Sequence, residues 1–328
     1  MTEFEGKTVL VTGAGGFIGS HLTESLAGHG ARVRALVHYN ALGSAGWLDR
    51  SPCRDKVEVM PGDICDRDSV GAAMQDAEVV FHLAALIAIP YSYRAPESYV
   101  RTNIMGTLNV LQCAREAGVS RVVHTSTSEV YGTARRVPID ETHPLQGQSP
   151  YSASKIGADK MAEAFHLSFG LPVVTVRPFN TFGPRQSARA VIPTIISQAL
   201  DGGVVRLGSL HPRRDLNFVS NTVDGFLRAA VEPAAIGHTI NLGSGREISV
   251  GDLAALIGQL MECPLKVVSE DQRVRPEKSE VERLLASNEL ACSLLKWRPA
   301  VTLEDGLGRT IEWVKANRAT YRPDTYTI

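Results

Sequence analysis

Tyr151 and Lys155 stand four residues apart in the run Pro150-Tyr-Ser-Ala-Ser-Lys155. On a helix that spacing puts both side chains on one face. A neighbouring ammonium favours the phenolate, so it lowers the phenol pKa and makes Tyr151 a usable base near neutral pH. Upstream lies a polar cluster, Thr125-Ser-Thr-Ser-Glu129, which adds Thr127, Ser128 and Glu129 as candidates for proton transfer. A Tyr-x-x-x-Lys pair is a weak sign when it stands alone. Here it follows a nucleotide-binding loop in the first twenty or so residues.

That loop reads Val9-Leu-Val-Thr-Gly13-Ala-Gly-Gly16-Phe-Ile-Gly19. Gly13 permits a tight turn, Gly16 lets the backbone approach a pyrophosphate, and Gly19 allows close helix–strand packing. The N-terminus of the following helix then faces the anion. An acidic residue at the end of the second strand usually signals NAD. This chain has Val37-His-Tyr-Asn40 there, with no carboxylate, which weakens the choice between NAD and NADP; the cofactor is expected to be NAD with NADP left open. Asp63 ends the third strand and is expected either to meet the adenine amino group or to cap a helix.

The elements that must hold these groups are legible. Short apolar strands are expected at Lys7–Thr12, Ala31–Val37, Val57–Met60, Val79–Leu83, Arg121–Ser126 and Pro172–Arg177. Helices are expected at Phe17–His29, Val100–Ala117 and Tyr151–Phe169. Strands alternating with helices of this length indicate βαβ units and an α/β, Rossmann-type, doubly wound parallel sheet. After Arg177, Pro, Gly and Arg become frequent and strands shorten. Helices are expected near Ile192–Leu200, Asn221–Ala230, Ser249–Met261 and Leu303–Ala316. This predicts a NAD(P)-binding domain over 1–178 plus about 216–242. A smaller mixed α/β substrate-binding domain takes 179–215 and 243–328, its tail from Arg318 lying on the surface.

Composition excludes several classes. The chain has 328 residues and a net charge of −1, so no basic field draws it to nucleic acid or a membrane surface. No apolar run reaches the length of a membrane span, and the first residues do not read as a signal peptide. The five cysteines show no C-x-x-C pairing and no histidine at metal spacing. A disulfide framework and a metal site are therefore not expected, and a reducing cytoplasm is.

Taken together, these motifs resemble the extended short-chain dehydrogenase/reductase family, especially its nucleotide-sugar epimerases, dehydratases and decarboxylases. The matching pieces run in the family's order. They are Thr12-Gly-Ala-Gly-Gly-Phe-Ile-Gly19, Asp63, His82-Leu-Ala-Ala85, Asn103-Ile-Met-Gly-Thr107, Ser126-Thr-Ser-Glu-Val-Tyr-Gly132, Tyr151-Ser-Ala-Ser-Lys155, Arg177-Pro-Phe-Asn180 and Arg214-Asp215. The resemblance implies a cofactor site of Gly13, Gly16, Phe17, Ile18, Gly19, His38, Asp63, Ile64, Leu83, Ala84 and Ala85, joined by Tyr151 and Lys155. It implies that Asn103 supports the catalytic helix and that Lys155 holds the nicotinamide ribose. Asn180, Arg185, Arg214 and Arg275 would cradle a nucleotide diphosphate, for which guanidinium is suited. It also implies a homodimer, with Leu108, Leu111, Met161 and Phe165 as interface candidates; the same stripes would equally suit packing on the sheet.

Such enzymes begin by oxidising C4 of the sugar. The ketone acidifies C5–H, and Glu129 is placed to remove that proton as general base. Loss of the C6 hydroxyl would then make the chain a 4,6-dehydratase. Thr-Ser-Glu looks like the triplet of GDP-mannose 4,6-dehydratases, whereas many dTDP-glucose enzymes carry Thr-Asp-Glu. UDP-glucuronate decarboxylases share Thr-Ser-Glu, so decarboxylase and 4-epimerase remain open. Three segments, Val37–Trp47, Ser149–Asp159 and Arg177–Pro193, look like UDP-N-acetylglucosamine 4,6-dehydratases of the bacterial legionaminic-acid type. A non-catalytic NAD-binding protein would be marked by loss of Tyr151 or Lys155, and both are present.

Overall fold

The computed structural model describes residues 3–321. Its first half alternates strand and helix: β1 (Thr8–Thr12), α1 (Phe17–Gly28), β2 (Arg32–His38), β3 (Val57–Gly62), α2 (Arg67–Met74) and β4 (Val79–His82). Two short helices follow, α3 (Ile89–Ser92) and α4 (Pro96–Tyr99). Then come α5 (Gly106–Ala117), β5 (Arg121–Thr125), α6 (Pro150–Phe169) and β6 (Val173–Pro178). Every residue of β1, β4 and β6 is buried, the mark of strands covered on both faces.

The second half holds β7 (Asn180–Phe182), α7 (Val191–Ala199), β8 (Val204–Leu207), β9 (Arg213–Phe218) and α8 (Val219–Val231). It continues with β10 (Thr239–Leu242), β11 (Glu247–Ser249), α9 (Val250–Leu260), β12 (Lys266–Ser269), α10 (Glu289–Leu295) and α11 (Leu303–Ala316). The large sheet has seven parallel strands in the order β10-β6-β5-β4-β1-β2-β3. The chain thus returns to the first sheet at β10, beside β6. Strand order reverses between β1 and β4, which opens a crevice beyond their carboxyl ends. A three-stranded sheet, β11-β9-β7, and the pair β12-β8 build the other wall.

Helices α2, α5 and α6 cover one face of the large sheet. Leu111 and Phe165 are buried in that layer, and Leu108 and Met161 pack against it. These interface candidates therefore face their own sheet, because a helix between sheet and solvent turns its apolar stripe inward. Exposed apolar side chains on this side are instead Val100, Met105, Leu167 and Phe169. In the tail Arg318, Ala319 and Thr320 are exposed as expected, whereas Tyr321 is buried and donates from its hydroxyl to Gln186 O at 3.1 Å. The rest of that tail, 322–328, lies outside the described residues.

Two helix starts matter for the site. Helix α6 opens on a capping box, with Ser149 Oγ accepting from Ser152 N at 3.1 Å and Pro150 in the first turn. The helix expected from Val100 begins as a π-helical turn over Val100–Met105 before α5. Asn103 sits in that turn, and its side chain bonds both backbone groups of Leu86 (2.8 and 2.9 Å) and Ser154 Oγ (2.9 Å). A widened turn of this kind is common at functional sites. Here it ties the loop after β4 to α6.

In the second lobe, Asp215 is fully buried and accepts four hydrogen bonds. They come from Ser244 N (2.6 Å), Ser244 Oγ (2.7 Å), Gly245 N (3.0 Å) and Ala286 N (3.1 Å). Strand alternation sends its neighbour Arg214 to the opposite side. Asp215→Ala would leave three backbone donors without their partner, the one at Ala286 buried and those at Ser244 and Gly245 partly so. The expected cost is about 3 kcal/mol or more, read as a lowered urea midpoint. An unchanged midpoint would show that other contacts hold these segments.

Candidate active site

The crevice between the lobes is a cavity of about 1020 Å³. That exceeds the roughly 300–1,000 Å³ of most small-ligand pockets, so a dinucleotide and a second ligand both fit. The glycine loop forms one end. Gly13 has φ +71°, and a Cβ there would stand 2.8 Å from Ala84 N. A Cβ on Gly19 would stand 2.2 Å from Gly13 O. Gly16 begins α1 with no side-chain cap, so the first amides of α1 remain available to an anion. Thr12 Oγ1 accepts from Leu83 N and Ala84 N at 3.2 and 3.1 Å, locking the two strand ends across the switch point.

Gly13, Gly16, Phe17, Ile18, Gly19, His38, Leu83, Ala84 and Ala85 all border the cavity. Asp63 and Ile64 do not. Asp63 Oδ1 accepts from Cys65 N at 2.9 Å, while Asp66 is the residue that caps α2. Ile64 is buried in the apolar layer under Gly106. Sequence reasoning missed Gly15, Asn40 and Ser44. A Cβ on Gly15 would meet Ala45 O at 2.3 Å, and Asn40 braces the turn by accepting from Ser44 N at 3.2 Å. Arg32 and Arg34 point elsewhere: they bond Thr8 Oγ1 and Glu58 at 3.1 and 2.9 Å.

Thr127, Ser128, Glu129 and Tyr151 meet on the cavity wall. The short helix Ser128–Tyr131 starts on Thr127, whose Oγ1 accepts from Glu129 N at 3.2 Å. The same Thr127 side chain lies close enough to the Tyr151 phenol to lower its pKa. Glu129 is 8% exposed and has no ion-pair partner among the described residues. Its carboxylate lies close enough to Tyr151 to raise the phenol pKa.

Lys155 is buried one turn further along and donates from Nζ to Thr125 O at 2.6 Å. The expectation that it lowers the Tyr151 pKa is not met. Burial dominates and pushes the phenol above its ordinary value, with Thr127 opposing and Glu129 reinforcing. Burial likewise depresses Lys155 to about 8, opposed by the Asp159 carboxylate. Physically, Lys155 directs its proton at a carbonyl rather than at the phenol.

At the other end, Arg214 and Arg275 share one carboxylate, Glu280, at 2.9 and 3.4 Å. All three border the cavity, and Arg214 is only 12% exposed. Two guanidiniums on one carboxylate leave an excess positive charge where a diphosphate would lie. Asn180 also lines the wall, and its Oδ1 is buried without a partner, as is Thr125 Oγ1. Orphaned polar atoms of this kind fit a site that a polar ligand completes.

Arg185 is not in this cradle. Its backbone adopts φ +72°, and its guanidinium pairs with Glu24 at 2.7 Å, bonds Ser20 Oγ at 3.2 Å and covers Trp313. The arginine on the wall is Arg189, four residues on. It makes no hydrogen bond or ion pair among the described residues and lies near Tyr99 and Tyr151. Glu280 and Arg189 carried no recognisable motif.

This geometry agrees with the comparisons. The family model for GDP-mannose 4,6-dehydratase matches residues 10–310. The chain belongs to that family of extended short-chain dehydrogenase/reductases. Within this dehydratase and epimerase group, the chain is 35% identical to a UDP-glucose 4-epimerase of Mycolicibacterium smegmatis, over 93% of this chain and 98% of that one. It is 33% identical to a dTDP-glucose 4,6-dehydratase of Streptomyces antibioticus, over 96% and 94%. The dTDP-glucose 4,6-dehydratase DesIV of Streptomyces venezuelae, solved with NAD bound, superposes with a TM-score of 0.88 at 30% identity, over 96% and 99%. No helix among the described residues is long and apolar enough to cross a membrane, and no cluster there has the makings of a metal site.

Lys155 makes the fold pH-sensitive. Its amine falls from 10.5 to about 8 on folding. Between those values the unfolded chain holds a proton that the folded chain has released, so stability rises with pH across that window and shows no such slope below it. The stability of wild type relative to Lys155→Met should therefore grow from pH 8 to 10.5, as read by urea unfolding. A constant difference would mean that the amine titrates like a solvated lysine.

Proposed function

We propose that this protein is an NAD-dependent nucleotide-sugar 4,6-dehydratase whose substrate is UDP-N-acetylglucosamine. The observation that carries the reaction is Glu129, a buried carboxylate with no ion-pair partner beside Tyr151. An epimerase needs no second base at this place. The sugar and the base rest on the resemblance of Val37–Trp47, Ser149–Asp159 and Arg177–Pro193 to enzymes of that substrate.

NAD held along the glycine loop and the Val37–Gly46 wall would supply a hydride acceptor at C4 and a hydride donor at C6, so the reaction would need it tightly bound and would consume none. It is favoured over NADP because the wall formed by Val37–Gly46 has no lysine or arginine for a 2′-phosphate among the described residues that line it. Tyr151 takes the C4 hydroxyl proton. Glu129 removes the C5 proton once C4 is a ketone, the C6 hydroxyl departs, and Glu129 returns its proton to C5 as hydride reaches C6. Loss of water overall means that the C4 proton leaves with that hydroxyl. Glu129 or a water can pass it on, since the hydroxyls of Thr127 and Ser128 are both poor acids. Asn180, Arg214 and Arg275 hold the diphosphate. The protein works in the cytoplasm as a homodimer, for which Met105, Leu167 and Phe169 are the exposed apolar candidates.

Arg189 favours a second reading. An unpaired, half-buried guanidinium near the reacting sugar calls for an anion, which suits a hexuronate carboxylate and hence UDP-glucuronate decarboxylation. Incubation with UDP-N-acetylglucosamine, dTDP-glucose and UDP-glucuronate, followed by mass spectrometry, separates the readings. Loss of water from the first supports the proposal, loss of carbon dioxide from the third supports the second reading, and mass-neutral products alone point to epimerisation.

Glu129→Gln should keep C4 oxidation and slow elimination by about 10²–10⁴-fold. Reduced-nicotinamide absorbance would then build up on the enzyme. Unimpaired product formation would remove Glu129 from the role of base. Tyr151→Phe should block the first hydride transfer instead, so no reduced cofactor forms.

A further inference from the structure

Asp159 follows Tyr151 and Lys155 at the same four-residue interval on α6, and all three are buried. Its Oδ1 accepts from His124 Nε2 at 3.1 Å, and its Oδ2 accepts from Ser126 Oγ at 2.6 Å. Arg177 completes the set, donating to Oδ2 from Nε at 3.2 Å and from Nη2 at 2.9 Å. His124 and Ser126 flank Thr125, whose carbonyl receives the Lys155 ammonium at 2.6 Å. Ser126 leads directly into Thr127, the neighbour of the Tyr151 phenol.

We propose that Asp159 is a positioning residue for the reaction, clamping both neighbours of Thr125 so that its carbonyl is aimed at Lys155 and Thr127 at Tyr151. This rests on the reading of Tyr151 and Lys155 as the oxidising pair. Asp159 does not touch the cavity wall; it acts through β5.

A second consequence is electrostatic. Lys155 is faced by Tyr151 and Asp159 from α6, His124 from β5, His82 from β4 and Arg177 from β6. Both histidines are held neutral by burial, their rings 5.8 Å apart. Arg177 is a cation anchored elsewhere as well, donating to Tyr131 Oη at 2.9 Å. Asp159 is therefore the carboxylate that keeps a proton on Lys155. A merely structural aspartate would stabilise the fold without moving that titration.

The test is Asp159→Asn, measured in the full-length protein with and without substrate. Without substrate, the pH at which stability begins to rise with Lys155 deprotonation should fall below that of wild type. With substrate, kcat should fall about 10–100-fold while KM and NAD affinity stay within a few fold. The alkaline limb of the rate profile should move to lower pH, and Asp159→Glu should recover part of the loss. Should Asp159→Asn fold poorly, Ser126→Ala tests the clamp alone: a smaller loss of kcat with the alkaline limb unmoved. The proposal is overturned if Asp159→Asn keeps the wild-type titration and the wild-type rate per folded molecule. The substrate-free titration stands apart from the dehydratase reading, so absence of turnover on the nucleotide-sugar panel would count against that reading alone.

Discussion

A charge taken into a protein interior must be paired or neutralised, and α6 carries a lysine and an aspartate inside on one face with a tyrosine between them and the cavity. That constraint organises the centre of this fold. Asp159 meets its obligation with His124, Ser126 and Arg177, from two neighbouring strands. Lys155 meets its own with the Thr125 carbonyl. The carboxyl end of β5 is thereby fixed against α6, and the segment that follows it, Thr127–Glu129, is delivered to the cavity in one conformation. The candidate catalytic groups are thus backed by a buried polar network.

A similar economy of charge governs the second lobe. Arg214 and Arg275 would repel each other without Glu280, and one shared carboxylate leaves them net positive. Asp215, next along β9 and facing the other way, secures the loop at Ser244–Gly245 and the chain at Ala286. The arginine end of the cavity is therefore built on a strand whose two faces do different work. The relatives of this chain include both a 4-epimerase and 4,6-dehydratases. On the proposed reading, the side chains that would separate the two reactions in this chain are Glu129 and Arg189, both on the cavity wall.

The parallel sheet was legible because its strands are short, apolar and buried on both faces. The glycine loop was legible because each glycine answers a separate steric demand. The π-helical start at Val100 was not, since it is set by Asn103 bonding to Leu86, which lies seventeen residues earlier in the chain. Nor could helical periodicity say whether Leu111 and Phe165 face a sheet or a second copy of the chain; the layer under α2, α5 and α6 decides it. The exchange of Arg185 for Arg189 has the same character. Both lie in one polar run, and a left-handed residue at Arg185 sends one to Glu24 while the other reaches the wall.

By itself, then, the sequence determined which chemistry is available: a dinucleotide loop, a phenol at helical spacing from an amine, a carboxylate in the preceding polar segment and arginines for a diphosphate. Those properties are local, because side-chain type and spacing along a helix or strand do not depend on the rest of the chain. Tertiary structure decided how the groups are charged and aimed. Burial pushes the Tyr151 phenol up and the Lys155 amine down, against the simple expectation for an adjacent pair. That outcome depends on desolvation and on partners brought from β5 and β6, and neither is encoded in the interval between Tyr151 and Lys155.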